Sequence, residues 1–177
     1  FGVSERLDAR GAVRVPLDEA GVRQVAEQLR DAGVESIAVC FLHAYANPLH
    51  ERRAGEILAE VFPEAVVSLS SDVAPEFREY LRASTTVING SIRPVVASYL
   101  QKIEERLQTA GIQAELLVMQ SSGGVYSFAA AQQKPVYMVE SGPAAGVIAA
   151  AHLGQALGHD QVISFDMGGT TAKAGLV

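Results

Sequence analysis

The chain has one cysteine, no tryptophan and no long apolar run. Its single cysteine, Cys40, cannot form a disulfide within the chain. Because Cys40 lies in the apolar stretch 36–42, we interpret it as a buried strand residue rather than a nucleophile. A protein without an internal disulfide suits a reducing compartment, and we expect a cytoplasmic location.

The rest of the composition argues against two classes of partner. No apolar run approaches the roughly 18 residues that a membrane-spanning helix needs, so we expect no membrane contact. Lys and Arg total 14 against 20 Asp and Glu, which gives a net charge of −6. Since no dense basic patch is present to neutralise phosphates, we expect no nucleic-acid partner. With 177 residues, 49% of them hydrophobic, the chain can bury a sizeable core.

The hydrophobic pattern alternates between strand and helix. Short apolar runs bounded by turn residues predict strands, and apolar residues at helical spacing predict helices. The predicted helices are 18–32, 48–63, 76–110, 128–132 and 141–157, and the predicted strands are 36–42, 65–69, 116–120 and 135–139. Pro94 predicts a break in the long helical region near Asn89-Gly90. This alternation is typical of an α/β fold with a largely parallel sheet and flanking helices.

Residues 161–177 carry the most informative pattern in the chain. An apolar strand reaches Asp166, a Gly-Gly-Thr-Thr turn at 168–171 reverses the chain, and 172–177 form the returning strand. Glycines without a Cβ let backbone amides approach an anion closely. Asp166 suits a divalent metal bound through water, and the two threonines offer hydroxyl donors. The pattern therefore fits either a phosphate-binding hairpin or an ordinary surface turn.

A second segment, 140–158, has almost no large side chains at its start. Its small residues predict a helix that packs very closely against another helix, and read alone it also fits a small-residue core helix. Together, the two segments resemble the boundary between the lobes of actin-like ATPases such as the heat-shock chaperones. In that resemblance 140–158 is the helix that connects the lobes, and 161–177 is the phosphate hairpin of the second lobe.

More specifically, the chain resembles the hydantoinase A / 5-oxoprolinase family over nearly its whole length. Five blocks in family order carry the resemblance: Cys40-Phe-Leu-His43 with Asn47-Pro-x-His-Glu51, Glu76-Phe-Arg-Glu-Tyr80 with Ser84-Thr-Thr86 and Asn89, Val118-Met-Gln-Ser-Ser-Gly-Gly124, Ser141-Gly-Pro-Ala-Ala-Gly146, and Phe165-Asp-Met-Gly-Gly-Thr-Thr171. The family includes ATP-dependent hydrolases that open hydantoin or 5-oxoproline rings and subunits of acetone-type carboxylases. Ala172-Lys173 after the turn points to the branch that resembles N-methylhydantoinase A.

The resemblance implies a fold and a place within a longer protein. It implies an actin-like ATPase (ribonuclease H-like) lobe followed by the first hairpin of the second lobe. Residues 1–80 would end the family's N-terminal region, and 81–177 would begin the hydantoinase A/oxoprolinase domain. We therefore expect an internal fragment that is inactive alone. In the whole protein we expect ATP and Mg²⁺ as cofactors, a small cyclic amide as substrate and a hydantoinase B-like partner subunit.

The resemblance also implies roles for particular residues. Asp166 would be catalytic and would hold Mg²⁺ through water. The expected phosphate-binding residues are Gly168, Gly169, Thr170 and Thr171 in the turn and Ser121, Gly123 and Gly124 after the strand 116–120. For the loop 120–124, a cleft-lining role and a plain loop both stay open. We interpret Lys173 as an exposed strand lysine, and His43, His50 and Glu51 as structural.

One predicted helix has a polar face. Its polar residues recur at helical spacing and are Arg78, Arg82, Thr85, Thr86 and Asn89. This spacing favours a solvated face over a substrate-facing one.

The main functional hypothesis is a fragment of an ATP-dependent cyclic amidohydrolase. The alternatives are a 5-oxoprolinase or an acetone-type carboxylase subunit and, outside enzymes, an actin-like chaperone or assembly ATPase.

Overall fold

The computed structural model describes residues 1–177, which divide into two compact units, 1–96 and 97–177. The first unit contains β1 (Arg6–Leu7), β2 (Val13–Val15), α1 (Glu19–Asp31), β3 (Ser36–Val39), α2 (Leu49–Val61), β4 (Val66–Leu69), α3 (Ser70–Val73) and the first part of α4 (Glu79–Thr109). The second unit contains the end of α4, then β5 (Leu117–Met119), β6 (Val125–Ser127), α5 (Phe128–Gln133), a 3₁₀ helix (Pro135–Met138), α6 (Ser141–Leu157), β7 (Ile163–Met167) and β8 (Ala172–Leu176). These elements confirm an α/β fold.

The first unit forms around a βαβ crossover. The backbone amide of Gly21 donates a hydrogen bond of 3.0 Å to the Asp18 carboxylate, so Asp18 is the N-cap of α1. α2 then connects β3 to β4, and the two strands pair in parallel from Ser36 opposite Val66 to Val39 opposite Leu69. The apolar faces of α1 and α2 pack against this pair in a cluster of buried residues: Val22, Ala26, Ile37, Val39, Ala54, Ile57, Leu58 and Phe62.

α4 is one continuous helix, so the predicted break near Asn89-Gly90 is wrong. Pro94 lies inside the helix and has no N–H to donate to the Gly90 carbonyl one turn earlier. The Ser36 hydroxyl lies 2.8 Å from that carbonyl and donates to it instead. A tertiary contact thus satisfies the acceptor that the proline leaves open, and propensity alone could not reveal it.

In the second unit, short connections decide the strand pairing. β5 pairs with β6, and β7 with β8, both antiparallel, because the loops 120–124 and 168–171 are too short for a crossover. β1 and β2 also pair antiparallel, so β3–β4 is the one parallel ladder of four. The prediction of a largely parallel sheet is therefore wrong for these residues. The predicted strand 135–139 is also wrong, since Pro135 opens a 3₁₀ helix there.

α6 packs against the β7–β8 hairpin rather than against another helix. A Cβ on Gly175 would lie 2.4 Å from a methyl of Val147, and one on Gly154 would lie 2.4 Å from a methyl of Val162. Both glycines therefore permit a close approach that no other residue allows without movement. The left-handed Gly158, with φ of 76°, ends α6, whose bounds match the predicted helix 141–157. No helix of the chain is both long and apolar enough to cross a membrane.

Candidate functional site

The β7–β8 hairpin places its acidic residue beside a lysine. The ladder pairs Met167 with Ala172 and Asp166 with Lys173, which confirms the predicted antiparallel hairpin. Directly opposite residues share one face of a strand pair. Asp166 and Lys173 are therefore neighbours on the same face as Ser164 and Gly175.

That face borders a pocket of about 300 Å³ at the beginning of α6. Its walls combine the hairpin, the loop 120–124, the residue before α6 and the first turn of α6, and they include Asp166, Lys173, Ser121, Glu140, Pro143 and Ala144. The N-terminal end of a helix carries partial positive charge and favours anions. The pocket thus joins two carboxylates, an ammonium and a helix N-terminus, which suits an anion accompanied by a divalent cation.

Glu140 and Lys173 form an ion pair within this pocket. Lys173 lies in β8, as interpreted, and its side chain stays 39% exposed while it contacts Glu140. Glu140 is the N-cap of α6 but its side chain does not cap the helix. Its backbone lies in the left-handed region with φ of 65°, which non-glycine residues rarely adopt. Sequence reasoning missed both residues as site residues, although a four-residue turn already places Lys173 opposite Asp166.

The tip of the hairpin leaves open space around its backbone. The Gly168 amide donates to the Thr171 carbonyl at 3.0 Å and closes the turn. A Cβ added to Gly168 or Gly169 would meet no atom within 4 Å, and neither glycine has positive φ. The backbone angles therefore do not require glycine here. Because the two glycines have no side chain, they leave open space beside the backbone. Asp166, Gly169, Thr170 and Thr171 are all exposed.

This open tip fits a phosphate group, and Asp166 fits Mg²⁺. Phosphate needs close backbone approach, which the two glycines allow. Mg²⁺ usually keeps several waters and takes only one or two protein carboxylates, so an exposed aspartate is a suitable ligand through water. The residues predicted for these groups thus have the required chemistry, and their roles stay predictions.

The loop 120–124 supports the pocket by backbone contacts. The Ser121 amide donates to the Tyr137 carbonyl at 2.7 Å, and the Ser121 hydroxyl contacts the carbonyls of Tyr137 and Val139. Both donors of Ser121 are engaged, although the residue lines the pocket. Gly123 has φ of 90° and a Cβ there would lie 2.7 Å from Ile148 of α6. Gly124 is exposed and is not among the pocket-lining residues.

The polar face predicted on α4 is buried in its central part. Arg82, Thr86 and Asn89 are at most 1% exposed, so a solvated face is wrong for these three. The Arg82 guanidinium donates to the Ser70 hydroxyl at 3.0 Å and to the Phe41 carbonyl at 2.7 Å. Arg78 is exposed and Thr85 is partly buried.

Glu51 and His50 lie in buried hydrogen-bonded pairs of the first unit. The Glu51 carboxylate accepts from the Ser70 hydroxyl at 2.6 Å and from the Phe41 amide at 2.8 Å. His50 Nδ1 lies 2.8 Å from the Glu5 carboxylate, and both side chains are about 6% exposed. His43 contacts Tyr45 edge to face. These contacts indicate that His50 and Glu51 have structural roles.

Comparison with known proteins identifies related sequences over both units. The profile described as "Hydantoinase/oxoprolinase" matches residues 82–177. The profile described as "Hydantoinase/oxoprolinase N-terminal region" matches residues 1–62. Together they account for most of the chain.

Three related proteins extend this similarity. An uncharacterized protein of Methanocaldococcus jannaschii is 42% identical over the whole chain, which covers 26% of that protein. The nucleotide-free structure of acetone carboxylase has a TM-score of 0.89 at 34% identity, over 99% of this chain and 25% of its own. The structure of ATP-dependent caprolactamase from Pseudomonas jessenii has a TM-score of 0.88 at 33% identity, over 98% of this chain and 25% of its own. The chain thus spans about a quarter of the length of these relatives.

Proposed function

The chain belongs to the hydantoinase/oxoprolinase family, and from that membership we propose that it is part of an ATP-dependent enzyme that opens a hydantoin or related lactam ring. The observation that carries this proposal is the Asp166 hairpin bordering a pocket, in a chain that is 33% identical to an ATP-dependent caprolactamase. Caprolactam is a cyclic amide, as are hydantoins and 5-oxoproline. The proposed substrate class is therefore a small cyclic amide.

The chain's own residues would position and neutralise charge rather than form covalent bonds. When bound, ATP supplies the phosphoryl group that activates an amide carbonyl towards water. Asp166 would hold Mg²⁺ through water, and Gly168 and Gly169 would leave room for phosphate oxygens beside the backbone. Thr170 and Thr171 would donate hydroxyl hydrogen bonds to the same group. Of the loop 120–124, Ser121 would line the cleft, and Gly123 would let the loop pack closely on α6.

The proposal includes a fold assignment and a place in the whole protein. We assign 1–80 to the end of the hydantoinase/oxoprolinase N-terminal region and 81–177 to the start of the hydantoinase A/oxoprolinase domain. Both would belong to an actin-like lobe, except 161–177, which would be the first hairpin of a second lobe. The profile matches at 1–62 and 82–177 support this division. In it, residues 140–158 connect the lobes.

A partner subunit is part of the same proposal. The caprolactamase relative is named as subunit alpha and an acetone carboxylase relative as a beta subunit. Both names describe proteins that work with other subunits. We therefore place a hydantoinase B-like subunit beside the whole protein.

An acetone-type carboxylase is the second candidate. The two structural similarities differ by only 0.01 in TM-score, so the backbone does not favour the lactamase over the carboxylase. Both reactions use ATP in the named relatives, and the same hairpin would serve either one.

The test is ATP hydrolysis by the full-length protein with its partner subunit. We expect hydantoin, caprolactam or 5-oxoproline to stimulate ATP hydrolysis. Ring opening should accompany it, and chromatography of the ring-opened product measures that step. If only acetone with bicarbonate stimulates ATP hydrolysis, the protein is part of a carboxylase and the lactam proposal is wrong. ATP hydrolysis that responds to an unfolded polypeptide and to no small substrate would support the chaperone alternative and overturn both enzymes.

A further inference from the structure

We infer that Lys173 binds the anionic group of the ligand in the β7–β8 pocket and that Glu140 is the residue that positions it. This inference rests on the proposed function, because it takes the ligand to be a nucleotide polyphosphate. Lys173 and Glu140 belong to none of the roles assigned above. The inference therefore adds a binding residue and a positioning residue to the site.

The hairpin register brings opposite charges to one place. Asp166 and Lys173 are directly paired, and side chains of such a pair have Cβ atoms about 4.5–5.5 Å apart. Both side chains line the same pocket as Pro143 and Ala144 in the first turn of α6. A metal-bound polyphosphate carries both charges that this arrangement complements. Asp166 would face the cation, and Lys173 with the helix N-terminus would face the phosphate oxygens.

Glu140 holds a conformation that its ion pair alone does not explain. A left-handed backbone is unfavourable for glutamate and persists where the surroundings fix it. The preceding residues are fixed, because Ser121 contacts the carbonyls of Tyr137 and Val139. This anchoring directs the Glu140 carboxylate towards Lys173 instead of the end of α6.

An ordinary surface ion pair would not need this arrangement. Exposed pairs contribute little to stability, so a strained backbone is a poor way to obtain one. The pair of Arg53 with Glu19 shows the ordinary case, since it joins two regular helices and neither residue has positive φ. The Glu140–Lys173 pair differs in being at the rim of a pocket that also contains Asp166. Holding an ammonium group ready for phosphate is a role that fits this position.

The experiment measures Mg-ATP affinity of the full-length protein by isothermal titration. We expect Lys173→Met to weaken binding about tenfold or more, and Lys173→Arg to restore most of it, as for a charge-assisted hydrogen bond to phosphate. Lys102→Met, an exposed lysine of α4, is the matched control and should leave the affinity unchanged. Glu140→Gln should weaken binding less than Lys173→Met does.

A nucleotide-free readout tests the positioning role separately. In Glu140→Gln we expect faster amide hydrogen exchange in β8 without ATP, and the reversed pair Glu140→Lys with Lys173→Glu should restore slow exchange but not ATP affinity. Unchanged ATP affinity in Lys173→Met, with affinity lost in Asp166→Ala, would overturn the inference alone. Unchanged affinity in both variants would overturn the nucleotide role of the hairpin itself. Restored affinity in the reversed pair would also overturn the inference, since the phosphate would then not require the ammonium group at this position.

Discussion

The two units treat their polar residues in opposite ways. The first unit buries Glu51, Arg82 and Asn89 with at most 1% exposure and satisfies them with hydrogen bonds. The second unit leaves Asp166 and the hairpin tip exposed. Burying a charge is costly unless it is paired, so a paired buried charge is part of the fold. An exposed carboxylate beside a glycine turn has no such task in the fold, so Asp166 is open to the ligand role that we propose for it.

α4 shows the same contrast within one helix. Its residues Arg82, Thr86 and Asn89 are buried, whereas the apolar Tyr80, Val87 and Val95 are 81%, 57% and 73% exposed. This distribution is the reverse of an ordinary surface helix. Residue type alone therefore does not reveal which side of this helix is inside, because hydrogen-bond partners on β4 and the β3 loop decide it.

The largest effect should come from removing the buried cation of the first unit. Arg82→Met removes the donor to the Ser70 hydroxyl, which itself donates to Glu51, and leaves the carbonyls of Phe41 and Glu76 without that donor. We expect a loss of about 3–5 kcal/mol in the free energy of unfolding, measured with urea, because each buried acceptor left without its donor costs about 1–3 kcal/mol. Arg52→Met, at an exposed position of α2, is the control and should cost little. A loss equal to that of the control would show that the buried network is not structural.

The second largest effect should be on turnover and not on folding. Asp166→Ala in the full-length protein removes the proposed ligand of Mg²⁺. We expect kcat for ATP-dependent ring opening to fall about 10²–10³-fold, as for other electrostatic groups of an active site. The urea midpoint should stay unchanged, because Asp166 is exposed. A normal rate in a folded variant would remove the central assignment, and a lowered midpoint would remove the contrast between the units.

A glycine of the second unit provides the intermediate case. Gly123 has positive φ, and in Gly123→Ala the new Cβ would lie 2.7 Å from Cδ1 of Ile148, so the chain must move to accept the methyl group. We expect about 1–3 kcal/mol of destabilisation in thermal or urea unfolding. Gly142→Ala is the matched control, since no atom lies within 4 Å of its Cβ position and its φ is not positive. Equal stability of the two variants would contradict the tight packing of this loop on α6.

Local signals were enough to predict some elements and not others. Asp18 before an apolar period predicted α1, and a glycine pair between apolar runs predicted β7–β8, because both signals act within a few residues. α4 was predicted as two helices, because the Ser36 hydroxyl that satisfies the Gly90 carbonyl comes from a distant strand. β6 was missed because a strand of three residues has almost no periodicity of its own.

The site divides along the same line. The residues of the turn could be named from sequence, since their spacing is local. Glu140 depends on a left-handed backbone and on contacts of Ser121 with 137–139, which no local pattern shows. The burial of Arg82 likewise depends on strand ends far away in sequence. Partners at long sequence separation thus account for the residues that sequence reasoning misplaced.

The smallest effect on stability should come from an exposed ion pair of the first unit, which tests whether burial or charge determines the cost of a substitution there. Arg53 and Glu19 form an ion pair of 2.7 Å between α1 and α2, and both side chains are solvent-exposed. Hydrogen bonding from Arg53 lowers the pKa of the Glu19 carboxyl below its ordinary value of 4.5. A lowered folded-state pKa gives stability that is present above 4.5 and is lost as the pH falls through the folded value. Because solvent screens the pair, we expect the urea midpoint of Glu19→Gln at pH 7 and 0.15 M salt to match the parent within error. A midpoint shift as large as that of Arg82→Met would show that charge in the first unit, rather than burial, determines the cost.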